Sequence, residues 1–275
     1  MAAQFIKRKG REAARDASER REAPMEAKME YEAGVGLFTI CRPEKRNAIN
    51  FAVMEALEEA MKRAAADEHV KVFAITGAGG EAFCSGGDLH EFGHLRGAEA
   101  KQMLTRMGEL LYKLLTFPKP TVALVNGTAI GGGCELATAC DIRLVKEGSR
   151  IGFVQGRLGI TTGWGGASML FAKLPYGQAL DVLLRAELMT AEEMKARGWT
   201  DAIVPAESWR EQWRQRLAVY TERSLAVLQA YKATAGEKWR TAWFREQFFT
   251  EIDRCAELWG SREHEQALRA FLHKK

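Results

Sequence analysis

Pro120-Thr-Val-Ala-Leu-Val-Asn-Gly-Thr-Ala-Ile-Gly-Gly-Gly-Cys-Glu-Leu-Ala-Thr-Ala-Cys-Asp141 is the stretch around which the chain is organised. Thr121 to Val125 is a short apolar run rich in β-branched residues, the pattern of a buried strand. Asn126-Gly127 marks a turn. Gly131, Gly132 and Gly133 then lead into Cys134 to Cys140, which reads as a short buried helix. Glycines at a strand-to-helix junction leave amide N–H groups bare at a helix N-terminus, where partial positive charge can hold an oxyanion. Glu135 follows just inside the same helix. An anion cradle beside a carboxylate is equipment for chemistry next to a carbonyl. The competing reading is a tight packing turn, with Glu135 only complementing the helix dipole.

Outward from that stretch, strands and helices alternate. Val35 to Cys41 and Val70 to Thr76 have the pattern of strands, and Phe51 to Ala66 that of an amphipathic helix with Asn50 as N-cap. A glycine turn at Ala82 to Leu89 precedes a helix from about Ala98 to Leu115. Beyond Asp141, short strands are expected at Ile142 to Val145, Ile151 to Val154 and Ala202 to Val204. Short helices are expected at 176–186 and 190–198. From Ser208 onward the chain is helical and rich in Trp, Arg and Glu. The class is α/β with a C-terminal helical appendage. The domain reading is a charged extension over 1–24, a core over 25–205 and a helical region over 206–275.

With 275 residues, 47% hydrophobic, the chain can bury a large core. Its net charge of +4 is modest and mixed in sign, which argues against dedicated nucleic-acid binding and suits an anionic substrate. Five scattered cysteines without a CxxC pair point to a reducing compartment, and a cytoplasmic location is expected. No apolar run reaches the length of a membrane span. In residues 1–24, seven basic residues alternate with Glu12, Asp16, Glu19 and Glu22, a solvated segment without catalytic residues and too acidic for a mitochondrial transit peptide.

His90-Glu-Phe-Gly-His94 matches the HExxH pattern of zinc proteases. Two histidines one helical turn apart could bind zinc, with Glu91 activating water. Against this stand the helix-weakening Gly93, the lack of a third ligand and the chance frequency of a three-letter pattern. The expectation is surface histidines and no metal.

Three ordered segments, Arg42-Pro-Glu-Lys-Arg-Asn-Ala-Ile-Asn50, Ala82-Phe-Cys-Ser-Gly-Gly-Asp-Leu89 and Val125 to Asp141, closely resemble the crotonase (enoyl-CoA hydratase/isomerase) superfamily. By motif the resemblance runs from about Met29 to Val204. It implies a crotonase-like spiral of ββα turns with C-terminal helices that trimerise, trimers often pairing into hexamers. It further implies an acyl-coenzyme A thioester as ligand, with coenzyme A part of the substrate and no separate cofactor. Carried over by position, the Gly87 and Gly132 amides would form an oxyanion hole around the thioester carbonyl. Lys45, Arg46, Ala48, Ser85, Asp88 and Leu89 would line the coenzyme A path. Glu135 falls on the first of the two glutamates used by hydratases of this kind.

At the second glutamate this chain has Gln155, which can hold water or a substrate carboxylate but cannot act as a base. Thr162-Gly-Trp-Gly-Gly166 also departs from the usual Pro-Gly-Ala-Gly-Gly, and with Gly163 the Trp164 ring would narrow the acyl pocket. Both departures are similar to the methylmalonyl- and ethylmalonyl-CoA decarboxylase branch. The resemblance therefore implies a lyase working through a thioester enolate, with hydration of a short enoyl-CoA as the default. Decarboxylation of a malonyl-type thioester and isomerisation are the alternatives. A non-catalytic acyl-CoA- or RNA-binding relative is the reading from another class.

Overall fold

The computed structural model describes residues 25–273. The charged segment 1–24 and its domain boundary lie outside the described residues. β-Branched and aromatic runs supply the strands of two sheets. The larger has strands β1 (Ala27–Glu32), β2 (Val35–Ile40), β3 (Val72–Gly77), β5 (Thr121–Val125), β7 (Ile142–Lys146) and β10 (Ala202–Val204), side by side in that order. The smaller has β4 (Ala82–Cys84), β6 (Thr128–Ile130), β8 (Arg150–Gly152) and β9 (Met189–Thr190). From β2 to β10 the larger sheet is parallel, and β1 joins it as an antiparallel hairpin partner.

One unit repeats along the chain: a strand of the large sheet, a tight turn, a strand of the small sheet, then a helix. β5, β6 and helix α4 (Gly132–Ala139) form one such unit; β7, β8 and helix α5 (Gly166–Lys173) form the next. Because β3, β5 and β7 are neighbours in one sheet and β4, β6 and β8 in the other, each unit is displaced by one strand spacing from the last. The chain thereby advances as a spiral. Side-chain amides clamp its turns: Asn126 accepts from the Gly77 amide and donates to the carbonyls of Gly77 and Gly79.

Helix α1 (Phe51–Ala66) begins where expected, its Asn50 side chain accepting from the Val53 amide. Helix α2 is the single turn Leu89–Phe92, and α3 (Gly97–Leu115) buries Met103, Leu104, Met107, Leu110, Leu111 and Leu114 along one face. This spacing of three and four makes a seam, and each such side chain contributes roughly 1.5–3 kcal/mol by leaving water. Helices α6 (Tyr176–Arg185) and α7 (Ala191–Ala196) lead to β10. The tail comprises α8 (Trp209–Thr221), α9 (Leu225–Gly236), α10 (Ala242–Leu258) and α11 (Arg262–Leu272). Helix α10 lies along α3 and also touches α5, so the tail is packed onto the core beside the central glycine turn.

Several boundaries differ from the sequence reading. β3 starts at Val72 because the Val70 amide is spent on the Asp67 carbonyl in the preceding turn. The central helix starts at Gly132, two residues early, because Gly131 at φ 55° and ψ −117° makes the entire turn by itself. The HExxH histidines do not share a helix, since α2 ends at Phe92. Both are exposed, and Glu91 accepts from the Phe51 amide at the start of α1. Among the described residues no cluster of three metal-ligating side chains occurs. No helix among them is long and apolar enough to cross a membrane.

Candidate active site

The central turn faces a cavity of about 480 Å³. Its walls come from all parts of the chain: Ser85, Gly87 and Leu89 from the β4–α2 turn, Gly131, Gly132 and Glu135 from the central turn, and Gln155 from the turn after β8. Trp164 comes from the turn before α5, and Cys255 and Phe271 from the tail. Arg157 and Thr161 add two further polar side chains, and the rest of the lining is mostly apolar. That is the make-up of a small-molecule site.

Two glycines of separate turns, Gly87 and Gly132, line it. Gly87 forms an isolated parallel bridge with Ile49: the Ile49 amide donates to the Gly86 carbonyl and the Asp88 amide donates to the Ile49 carbonyl. This pattern uses the groups of residues 86 and 88 and turns Gly87's own N–H to the opposite side. Gly132 is the first residue of α4, so its amide has no partner within the helix. Among the described residues neither N–H donates to another backbone group outside regular elements. The two turns touch, since a Cβ on Gly86 would lie 3.0 Å from the Gly132 nitrogen. The structure thus brings together the Gly87 and Gly132 turns that the sequence kept 45 residues apart.

Glu135 lies on the cavity wall with 2% of its surface exposed. Its Oε1 accepts from the amides of Trp164 and Gly166, both at 2.9 Å, and its Oε2 accepts from Gln155 Nε2 at 2.9 Å. Burial, followed by the charge of Glu251, pushes this carboxyl up to about 8, against the pull of those three donors. Gln155 is buried too, and its Oε1 has no partner. Trp164 is 4% exposed, with its ring over the backbone of Gly132 and against Gly87, so that a methyl group added at Gly132 would overlap the indole. The ring both packs inward and narrows the cavity.

Of the other expected ligand contacts, Ser85 and Leu89 line the cavity. Lys45 and Arg46 are exposed on the preceding loop, outside the lining. Ala48 is buried, and Asp88 is buried in an ion pair with Arg42 at 2.8 Å, which makes it a fastening of the Gly87 turn. The sequence reading missed Glu251, which sits directly behind Glu135. It accepts from the amides of Ala167 and Ser168 and the hydroxyls of Thr162 and Ser168. A signal existed: Phe244, Phe248, Glu251, Ile252 and Cys255 form one buried stripe, and a glutamate on such a stripe needs partners.

The family model for enoyl-CoA hydratase/isomerase matches residues 30–275. The chain belongs to the enoyl-CoA hydratase/isomerase family. Within that family it is 28% identical over 248 residues to a crotonyl-CoA hydratase of Syntrophomonas wolfei, covering 90% of this chain and 95% of that protein. It is 33% identical over 242 residues to an ethylmalonyl-CoA decarboxylase of Gallus gallus, covering 86% of this chain and 80% of that protein. The crystal structure of a carnitinyl-CoA hydratase from Mycobacterium avium superposes with a TM-score of 0.81 at 32% identity, over 92% of this chain and 97% of that one. The crotonase fold expected from the motifs is therefore the fold of this chain.

Proposed function

We propose that this protein is an acyl-CoA lyase that forms a thioester enolate, and that it hydrates a short enoyl-CoA. What supports the reading is the one carboxyl among the lining residues, Glu135, which is buried and shares the cavity wall with Gly87 and Gly132. The Gly87 and Gly132 amides receive the thioester oxygen as negative charge grows on it, and a donor of this kind contributes about 2.7–4 kcal/mol to the barrier. In hydration, ionised Glu135 takes a proton from water, the water oxygen bonds to Cβ, and the electron pair moves to the enolate. Glu135 then returns the proton to Cα. Gln155 holds the water. Lys45 and Arg46 serve the coenzyme A phosphates at the rim, with no other cofactor, and the protein works as a cytoplasmic homotrimer or pair of trimers.

Gln155 supports a second reading, decarboxylation of a malonyl-type thioester. There the bond to the carboxylate breaks, its electron pair enters the enolate, carbon dioxide leaves, and protonated Glu135 supplies the proton to Cα. No second base is needed. The two reactions require opposite forms of one group, so pH separates them. With the Glu135 carboxyl at about 8, hydration rises with pH to a plateau above it, whereas decarboxylation falls as pH passes it. The test is crotonyl-CoA hydration by absorbance beside carbon dioxide release from methylmalonyl- and ethylmalonyl-CoA, each from pH 6 to 10. Turnover of neither class by folded protein would overturn the proposal.

A further inference from the structure

Helix α5 begins at Gly166, and the amides at its start are divided between two carboxylates. Trp164 and Gly166 donate to Glu135, which faces the cavity; Ala167 and Ser168 donate to Glu251, which does not line it. Two buried carboxyls on one helix start cannot both ionise without strong mutual repulsion, so the pair holds a proton.

The hydrogen-bond pattern says which one holds it. Glu251 meets four donors. Two are main-chain amides, which cannot become acceptors. Thr162 Oγ1 lies against Glu251 Oε1 and also accepts from the Ala167 amide at 3.1 Å. Ser168 Oγ donates to Oε2 at 2.6 Å, the oxygen that also receives the Ser168 amide at 2.7 Å. Burial raises the Glu251 carboxyl as well, yet a proton on either of its oxygens would share that oxygen with a fixed main-chain amide, Ala167 on Oε1 or Ser168 on Oε2. Glu135 differs at Oε2, which meets only the Gln155 amide, and the Oε1 of that amide has no partner. If the Gln155 side chain turns its amide over, its oxygen accepts a proton from Glu135 Oε2.

We infer that Glu251, which does not line the cavity, is a positioning residue: it fixes the 162–168 turn that holds Glu135, and by keeping the charge of the pair it sets the pH at which Glu135 changes from acid to base. Gln155 is the amide that accommodates the Glu135 proton, a task glutamate in its place could perform only at the cost of a third buried carboxyl. Among the described residues the other charged side chain on the cavity wall is Arg157, and it is not a hydrogen-bond partner of either carboxyl. Helix α3 turns only apolar residues inward, and the thiols of Cys134 and Cys255 are kept protonated by burial. The inference rests on Glu135 being the reacting carboxyl, yet it is testable without turnover.

The experiment is a pH titration of protein carrying carbon-13 at the glutamate carboxyls, followed by NMR. The signal missing from Glu135→Gln is that of Glu135. In the wild type it stays in the acid form at pH 6 to 7. In Glu251→Gln its midpoint falls by about one to two pH units, the usual effect of removing a neighbouring like charge. Glu251→Gln is expected to fold, because its amide nitrogen can face Thr162 Oγ1, which also serves the Ala167 amide. A purely structural Glu251 would lower the melting temperature and leave the midpoint within a few tenths of wild type, which overturns the inference. Should Glu251→Gln fail to fold, the wild type decides alone: a Glu135 signal already ionised at pH 6 overturns it. Loss of all acyl-CoA activity in the wild type, with the midpoints as expected, would sink the proposed reaction and leave the carboxyl pair standing.

Discussion

At the scale of one residue, Glu135 is a carboxyl removed from water and given three donors, a set that its burial outweighs. Between the ordinary value of 4.5 and about 8, the folded chain carries a proton on Glu135 that the unfolded chain has lost. Stability therefore falls as pH rises through that window. Glu135→Gln keeps an acceptor for the Trp164 and Gly166 amides and has no such slope. Its stability relative to wild type should grow from pH 5 to pH 8 by roughly 1–3 kcal/mol, read from urea midpoints at each pH. The same substitution should lower kcat by about 10²–10⁴ at every pH, since among the described residues no second carboxyl lines the cavity to replace it. An activity loss under tenfold would mean the reacting carboxyl lies elsewhere.

At the scale of elements, the turn from Thr162 to Gly166 decides what the cavity admits. The Trp164 ring lies on the backbone of Gly132 and against Gly87, so the same glycines that leave the amides bare also make room for the indole. Trp164→Ala should open the floor and shift preference toward longer acyl chains. An order of tenfold in relative kcat/KM between a six-carbon and a four-carbon substrate is expected, the scale of a methylene or two in an apolar pocket. An unchanged chain-length profile would place the acyl group away from Trp164. Gly132→Ala, by contrast, should expel the ring and depress activity for all lengths.

The turns were readable because glycine triplets and polar loops carry their conformation locally. The three motifs gave the fold and the two glycine turns that meet at the cavity, and Asn50 gave the start of α1. Less was readable where a role depends on distant partners. β6 has three residues and no periodicity to detect. Asp88 sits inside a motif that implies a ligand contact, yet its partner, Arg42, makes it structural. Glu251 lies in a helix with several glutamates, and only its place on the apolar stripe sets it apart.

At the scale of the whole molecule, Arg42 joins pieces that would otherwise drift. Its guanidinium reaches the Ala48 carbonyl and Asp88, both at 2.8 Å, and its backbone amide donates to Asn47. The loop before α1, the Gly87 turn and, at 3.5 Å, Glu26 beside β1 are thereby held in one register. Arg42→Met would leave Asp88 buried without its cation, at a cost of about 3–5 kcal/mol. Denaturant unfolding should show that loss, and kcat/KM should fall with it because the Gly87 amide loses its anchor. A variant as stable as wild type would show that water or another donor satisfies Asp88.

The cavity wall runs from Ser85 to Phe271, and the carboxyl behind Glu135 stands on α10. A ribosome delivers these parts in order. Until α10 has packed, Glu251 is not behind Glu135, and one of the two causes that raise the Glu135 carboxyl is missing. A chain leaving the ribosome therefore has its cavity wall complete only after α10 has emerged and packed.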